Sequence, residues 1–236
     1  MGLLRRCYQK IKRFGNVVRS KDFYTSLDLH VPSKEFGEPG ASWVVASEMI
    51  DDQCCVYSLG LGHDISFDLG LINEFGVTVH GFDPTPKSIA WLKTLELPDA
   101  FNFHDYGVAE YDGEANFRVP VNENFVSFTM NEKLNSSHKD DSVPLQVKRL
   151  STIVNQPGMS APDILKMDIE GAEYAVLRDL IASDIRPKQL LVEFHHVQHD
   201  IPASETKQVV KQLRECGYKI FYIAPTGGEY SFLHDN

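Results

Sequence analysis

Cysteine is scarce in this chain, and what there is follows no ligand or bridge pattern. Cys7, Cys54, Cys55 and Cys216 are all there are. Without C-x-x-C or Cys/His spacing they argue against a zinc site and read as reduced thiols, mostly packing residues, of a cytoplasmic protein. Long apolar runs are missing too. None approaches the roughly 20 residues that a membrane span needs. No apolar stretch with a small-residue cleavage site follows the basic start, so no secretory signal is expected. Arg6 stands where a myristoylation signal on Gly2 needs Ser or Thr. Positive charge is thin outside one segment. Residues 1–21 hold Arg5, Arg6, Lys10, Lys12, Arg13, Arg19 and Lys21 and no acid. The whole chain stands at −10, so taking away those seven charges leaves the rest at −17. So acidic a body repels phosphates and argues against a nucleic-acid partner.

What is present suits a soluble globular α/β protein. A chain of 236 residues fits one domain of the larger kind. The basic start carries Leu3, Leu4, Cys7, Ile11 and Phe14 at roughly helical spacing. One reading is a solvated helix packed on the domain edge. The other is a weak contact with an anionic membrane surface or a protein partner. Residues 22–50 are irregular, punctuated by Pro32, Gly37, Pro39 and Gly40. The division expected is therefore a basic helix and lead-in over 1–50, then one domain over 51–236.

In that domain strands and helices alternate. Residues 54–59 predict a buried strand, and Gly60-Leu61-Gly62-His63 a tight loop. Asp64 is the expected N-cap of a helix over 65–75 that stops at Gly76. A strand over 77–82 leads to Asp83-Pro84-Thr85-Pro86, with Thr85 as N-cap and Pro86 as first helical residue of a helix to about Leu95. A third strand covers 100–104. Residues 110–150 break the rhythm, with β-like segments at 114–120, 125–130 and 143–149, and predict an antiparallel insertion on the acceptor side. Alternation resumes with a strand at 163–168, a helix at 171–182, a strand at 189–194 and a helix at 204–215. Strands at 218–223 and 229–233, joined through Thr226-Gly227-Gly228, close the chain as a hairpin. Repeated β–α units imply a mainly parallel, doubly wound sheet, into which the hairpin sets one antiparallel strand. Dehydrogenase nucleotide domains do not usually end so.

Three constellations carry chemistry. Gly60-x-Gly62 after the first strand lets backbone approach a ligand closely, and Asp83 after the second offers a carboxylate to ribose hydroxyls. The third small residue of a dinucleotide loop is replaced by Ile65, which disfavours pyrophosphate. Lys166-Met167-Asp168-Ile169-Glu170-Gly171-Ala172-Glu173 crowds three acids at a strand-to-helix junction, where α/β sheets hold ligands. Glu173 reads there as a first-turn acid favoured by the helix dipole. Glu193-Phe194-His195-His196 closes the next strand, with Glu193 and His195 on one face. Asp168, Glu193 and His195 are the candidate catalytic bases. Asp168, Glu170, Glu193 and His195 could instead hold a hard divalent ion such as Mg²⁺, Mn²⁺ or Ca²⁺.

At these residues the sequence resembles the FkbM-type methyltransferase family. The stretches are VYSLGLGHDISFDLGL, VHGFDPTP, ILKMDIEGAEYAVL and LLVEFHH, in order over roughly 54–196, and the terminal hairpin fits. The resemblance implies a class I methyltransferase (Rossmann-like) fold with S-adenosyl-L-methionine as cofactor. It implies O-methyl transfer to a hydroxyl of a sugar or small natural product. It implies that Gly60, Gly62, His63 and Asp64 line the methionine side, that Asp83 holds the ribose, that Asp105 sits near the adenine, and that Asp168 faces the sulfonium and acceptor. Two departures stand out: His63 where a small residue often stands, and Asp83 where many relatives carry Glu. An NAD-type oxidoreductase and a catalytically silent nucleoside-binding module are the rival functions.

Overall fold

The computed structural model describes residues 2–122, 128–130, 138–196 and 201–235. Helix α1 (Gly2–Val18) comes first. Strands β1 (Lys34–Phe36) and β2 (Trp43–Val45) then pair as a short antiparallel hairpin. The alternating body follows: β3 (Cys55–Leu59), α2 (Ser66–Phe75), β4 (Thr78–Phe82), α3 (Pro86–Leu92) and β5 (Phe101–His104). The interruption holds β6 (Gly107–Val108), β7 (Gly113–Pro120) and β8 (His138–Lys148). After it come α4 (Leu150–Val154), β9 (Ile164–Met167), α5 (Glu173–Ala182), β10 (Gln189–Glu193), α6 (Ala203–Glu215), β11 (Tyr218–Ile223) and β12 (Glu229–His234). Among the described residues no helix is long and apolar enough to cross a membrane.

Seven strands form the main sheet in the order β11-β12-β10-β9-β3-β4-β5. Strand β12 runs antiparallel to both neighbours, and the pairings among β10, β9, β3, β4 and β5 are parallel. This is the doubly wound, mainly parallel, Rossmann-like arrangement expected from the sequence, with an antiparallel hairpin strand. The chain runs outward one way from β3 through β4 to β5 and the other way from β9 through β10. The crevice beyond the carboxyl ends of β3 and β9 is thus the switch point where such sheets hold ligands. The strands are apolar on both sides because both faces are covered. Leu150, Leu177, Leu180, Val209 and Leu213 pack with Tyr57, Leu165 and Leu190 in one buried cluster. Phe36, Trp43, Phe67, Leu71 and Leu92 pack with Val56, Val79 and Leu191 in the other.

The element ends show which sequence signals act as expected. Gly76 ends α2 in the left-handed region (φ 72) and donates to Ile72 O, as a C-cap does. Helix α2 begins one residue late, with Ile65 in the cap position. Asp64 still accepts from the Ser66 N–H at 2.7 Å, the hydrogen bond of a cap displaced by one residue. Pro86 opens α3 behind Thr85 as expected, but the Thr85 side chain caps nothing. It donates to Asp83 Oδ1 and lies 2.8 Å from Ser88 Oγ. Helix α3 ends at Leu92 rather than Leu95 and continues only as a turn, Leu95 N–H to Leu92 O. Helix α5 begins at Glu173 rather than 171, because Glu170 (φ 53) and Gly171 (φ 100) first turn the chain through the left-handed region. Among the described residues the insertion forms a three-stranded sheet, β6-β8-β7, with β7 and β8 antiparallel. Of the expected strand at 125–130, residues 125–127 lie outside the described residues, and Thr129 forms one bridge to Arg118.

Candidate functional site

The glycine loop sits at the switch point and is braced from below. Gly60 has φ 76, and a Cβ there would lie 1.7 Å from the Asp168 carbonyl oxygen, so only glycine lets β3 and β9 exit side by side. Asp83, 4% exposed, reaches back across from the end of β4. Its Oδ2 accepts from the N–H groups of Leu61 (3.1 Å) and Gly62 (2.9 Å). Its Oδ1 accepts from the N–H (2.9 Å) and hydroxyl (2.6 Å) of Thr85. A carboxylate has about four lone-pair sites. In this structure the acceptor capacity of Asp83 is taken up in holding the loop, and the residue also lines the space where the ribose is expected.

Above the loop lies a cavity with about 1140 Å³ free of protein atoms, its open mouth included, room for a nucleoside-sized ligand. Gly60, Gly62, Asp64, Asp83, Asp168, Glu170 and Glu193 all line it. Asp68 and Glu229, which the sequence reading passed over, line it too, as does Lys166, to which it assigned no role. Asp68 lies in the first turn of α2 and is 2% exposed. Its Oδ1 has no hydrogen-bond partner among the described residues. Burial pushes its carboxyl up to about 6 against the pull of the Lys166 charge. The Lys166 ammonium donates to Gly60 O (2.5 Å) and stands 5.3 Å over the Trp43 ring. Phe117, Phe128 and Met130 bring the insertion against the same space.

The acidic end is assembled by strand register. Strands β9 and β10 are adjacent, with Met167 opposite Val192, so Asp168 and Glu193 leave them side by side. In the antiparallel pairing of β10 with β12, Glu193 lies opposite Glu229. His195 is buried beneath them. Its Nδ1 meets Glu173 Oε1 at 2.9 Å. Its Nε2 is 3.6 Å from Glu170, 3.7 Å from Asp168 and 4.0 Å from Glu193. Glu173 is thus more than a helix-dipole residue. Fully buried, it also accepts from the N–H groups of Ile169 (2.9 Å) and Gly171 (3.0 Å), tying the turn to His195. Burial opposes charge on His195, but the charge and hydrogen bond of Glu173, with the charges of Asp168 and Glu170, hold it well above the ordinary histidine value. Burial pushes Glu193 up to about 8, helped by the Asp168 charge and opposed by His195. Burial also raises Asp168, against the charges of Lys166 and His195. Asp168, Glu193 and His195 offer ligand atoms within 4.8 Å of one another, a spacing that a hard cation can span.

Two expected cofactor contacts fall outside this cavity. His63 is exposed and stacks on Trp91 with ring centroids 5.3 Å apart, its Nε2 3.3 Å from Lys87 O. The loop turns it outward while its neighbours Gly62 and Asp64 face in. Asp105 is also exposed and lies in a shallow outer hollow with Ile89, Lys93 and Pro144. The inner wall at that end is made by Pro84, Thr85, Gly107 and Val108.

The methyltransferase FkbM domain family matches this chain over residues 54–220. Two curated proteins named probable methyltransferase-like protein 24, from Homo sapiens and Rattus norvegicus, are each 28% identical to it over 189 residues. That stretch is 75% of this chain but 44% of the human protein and 45% of the rat protein, so the chain spans less than half the length of these relatives. A solved FkbM methyltransferase from Methylobacillus flagellatus KT is 15% identical, with 80% of this chain and 46% of that chain covered and a TM-score of 0.49. TYW2 of P. horikoshii in complex with MeSAdo is 10% identical, with 99% and 84% covered and a TM-score of 0.37.

Proposed function

Since the chain belongs to the methyltransferase FkbM domain family, we propose that it moves the methyl group of S-adenosyl-L-methionine to an acceptor hydroxyl. The observation that carries this reading is the charge of the cavity. Asp64, Asp68, Asp83, Asp168, Glu170, Glu193 and Glu229 line it against Lys166. Such a site repels a pyrophosphate and attracts a ligand with an ammonium and a sulfonium. Asp68, with Oδ1 unmatched, takes the cofactor's α-ammonium. Lys166 has used one of its three donors on Gly60 and offers the others to the α-carboxylate. The adenosine end then faces Pro84, Thr85 and Val108.

In the transfer, an acceptor oxygen attacks the methyl carbon in line as the carbon–sulfur bond breaks. The electron pair stays on sulfur, giving S-adenosylhomocysteine. Most of the rate comes from alignment. The acceptor proton goes to the Asp168–Glu193 pair, in which burial raises both carboxyls, Glu193 to about 8, toward the range where a general base works best. His195, held by Glu173, keeps the pair from both being neutral. The acceptor, a sugar or small natural-product hydroxyl, lies against Phe117, Phe128 and Met130.

A second reading is favoured by one contact. A histidine that gives Nδ1–H to a buried carboxylate and turns Nε2 toward two acids is also how metal-binding histidines are held. The two readings separate by chelation. A proton-transfer site keeps its rate in chelator, whereas a metal site loses it and regains it with Mg²⁺, Mn²⁺ or Ca²⁺. Calorimetric titration with S-adenosylhomocysteine and with NAD tests the cofactor. Binding in the micromolar range for the first and none for the second is expected. NAD binding without a response to S-adenosylhomocysteine would end the proposal.

A further inference from the structure

Helix α1 packs in the reverse sense of an ordinary surface helix. A globular surface helix buries its apolar stripe and shows its polar face to water. Among the α1 side chains described, from Cys7 on, the residues half-buried against the body are Gln9, Arg13, Gly15, Asn16 and Val17. Tyr8, Ile11, Phe14 and Val18 stand outward, between 67% and 71% exposed. At about 100° per residue these four fall on one stripe roughly 120° wide, with Lys10 and Lys12 on its two flanks.

The orientation is fixed by buried polar contacts. Arg13 Nε donates to Asp22 Oδ2 at 3.2 Å, and its guanidinium donates to Tyr230 Oη at 3.2 Å. Asp22 Oδ1 lies 3.2 Å from His196 Nε2, and His196 Nδ1 lies 3.1 Å from Thr206 Oγ1. Rolling α1 over to bury its apolar stripe would break the Arg13–Asp22 pair and leave Asp22, itself buried, without a cation. The clamp therefore holds the apolar stripe toward whatever lies outside.

Charge selects the occupant. The first 21 residues carry seven basic side chains and no acid, while the rest of the chain is strongly acidic. A second copy meeting this face symmetrically would bring the same positive charges to it. An anionic lipid surface matches both features: acyl chains take the stripe and headgroups take the flanking lysines. We propose that α1 lies in the headgroup boundary of an anionic membrane, with Tyr8, Ile11, Phe14 and Val18 inserted. The acidic body is then repelled from the bilayer, which leaves α1 as the point of attachment. Tyr230, which Arg13 holds, follows Glu229 in the cavity wall.

The test is co-sedimentation of the full chain with vesicles of phosphatidylcholine, alone or with about one third phosphatidylserine. Binding to the anionic vesicles is expected, at least roughly tenfold tighter than to the neutral ones and weakening as salt is raised. The double variant Ile11→Asp/Phe14→Asp should lose at least roughly tenfold of that binding, with the circular dichroism and melting temperature of the parent. Lys10→Glu/Lys12→Glu should abolish the preference for phosphatidylserine. No binding to either vesicle, or binding that survives both double variants, overturns the proposal. So does a dimer in light scattering that Ile11→Asp/Phe14→Asp dissolves while the parent ignores vesicles, since the stripe would then be a protein interface.

Discussion

Asp83 and Asp168 both follow parallel strands at one edge of one sheet, yet their surroundings differ in kind. Asp83 is met on both oxygens by donors of its own chain, at Leu61, Gly62 and Thr85. Asp168 looks into the cavity among Glu170, Glu193 and His195, and burial raises its carboxyl. Position after a strand brings a carboxylate to the ligand edge. Whether its lone pairs are already used decides if it braces the site or acts in it. One half of the cavity is thus a satisfied scaffold, and the other is a set of like charges in need of a cation or a proton.

The sharpest way to break this contrast is to neutralise each side. Asp168→Asn keeps size and removes the base, so the rate of methyl transfer should fall about 10²- to 10⁴-fold. Its melting temperature should hold or rise, because one of several crowded charges is gone. A variant that keeps near-full turnover would remove Asp168 from the chemistry.

Asp83→Ala should behave the other way round. It orphans buried N–H groups of Leu61 and Gly62, at about 1–3 kcal/mol each. Denaturant unfolding should therefore show the largest loss of stability in this set, and the glycine loop should loosen. A folded Asp83→Ala protein of unchanged stability that binds S-adenosylhomocysteine poorly would assign Asp83 to the ribose and erase the contrast.

How much of this was legible beforehand follows from what each signal encodes. Hydrophobic runs and their spacing located the β–α order, and the run of acids at Asp168–Glu173 and Glu193–His195 marked the right strand ends. Register then did what alternation alone could not, bringing Glu229 opposite Glu193. Glu173 looked like a helix-dipole acid because its sequence position is a first turn. Only the left-handed step at Glu170 and Gly171 folds the chain so that it reaches His195. His63 and Asp105 show the converse. His63 stands between Gly62 and Asp64, which line the cavity, and Asp105 stands two residues before Gly107, which does too; nearness in a loop does not say which way a side chain leaves the backbone. Lys166 and Asp68 were hidden by their elements: a lysine inside an apolar strand and an acid on the buried face of a helix read as exceptions until a cavity is seen beside them.

The contrast sharpens again at Asp68, an acid on the scaffold side that still has an unmatched oxygen. Asp68→Asn should weaken S-adenosylhomocysteine binding roughly tenfold to a hundredfold, the range of a hydrogen bond to a charged group. Binding should also fall in the parent as pH drops through about 6, where Asp68 takes up its proton. The variant should lack that limb. Equal affinity in parent and variant across this range would move the ammonium site elsewhere.

The smallest effect, and the one that reads the acidic half directly, is the pH dependence set by Glu193. Its carboxyl titrates near 8 in the folded chain against an ordinary value of 4.5. A base must be deprotonated to act, so the rate should climb with pH toward about 8, by up to roughly tenfold per unit on the steep limb. The stability term has the opposite sense. A carboxyl whose folded value is raised contributes its stability in full below pH 4.5 and loses it as pH rises through about 8. Melting temperature should thus fall over the same interval in which the rate climbs. Glu193→Gln should flatten the fall in melting temperature and shift the rate limb, with Asp168 then titrating without its neighbour's charge. Because the two acids interact, the limb belongs to the pair, and a single-site curve identical in parent and Glu193→Gln would show that the pair does not share the proton. A divalent ion bound between Asp168 and Glu193 would instead hold both ionised, and the limb near 8 would appear only in chelator.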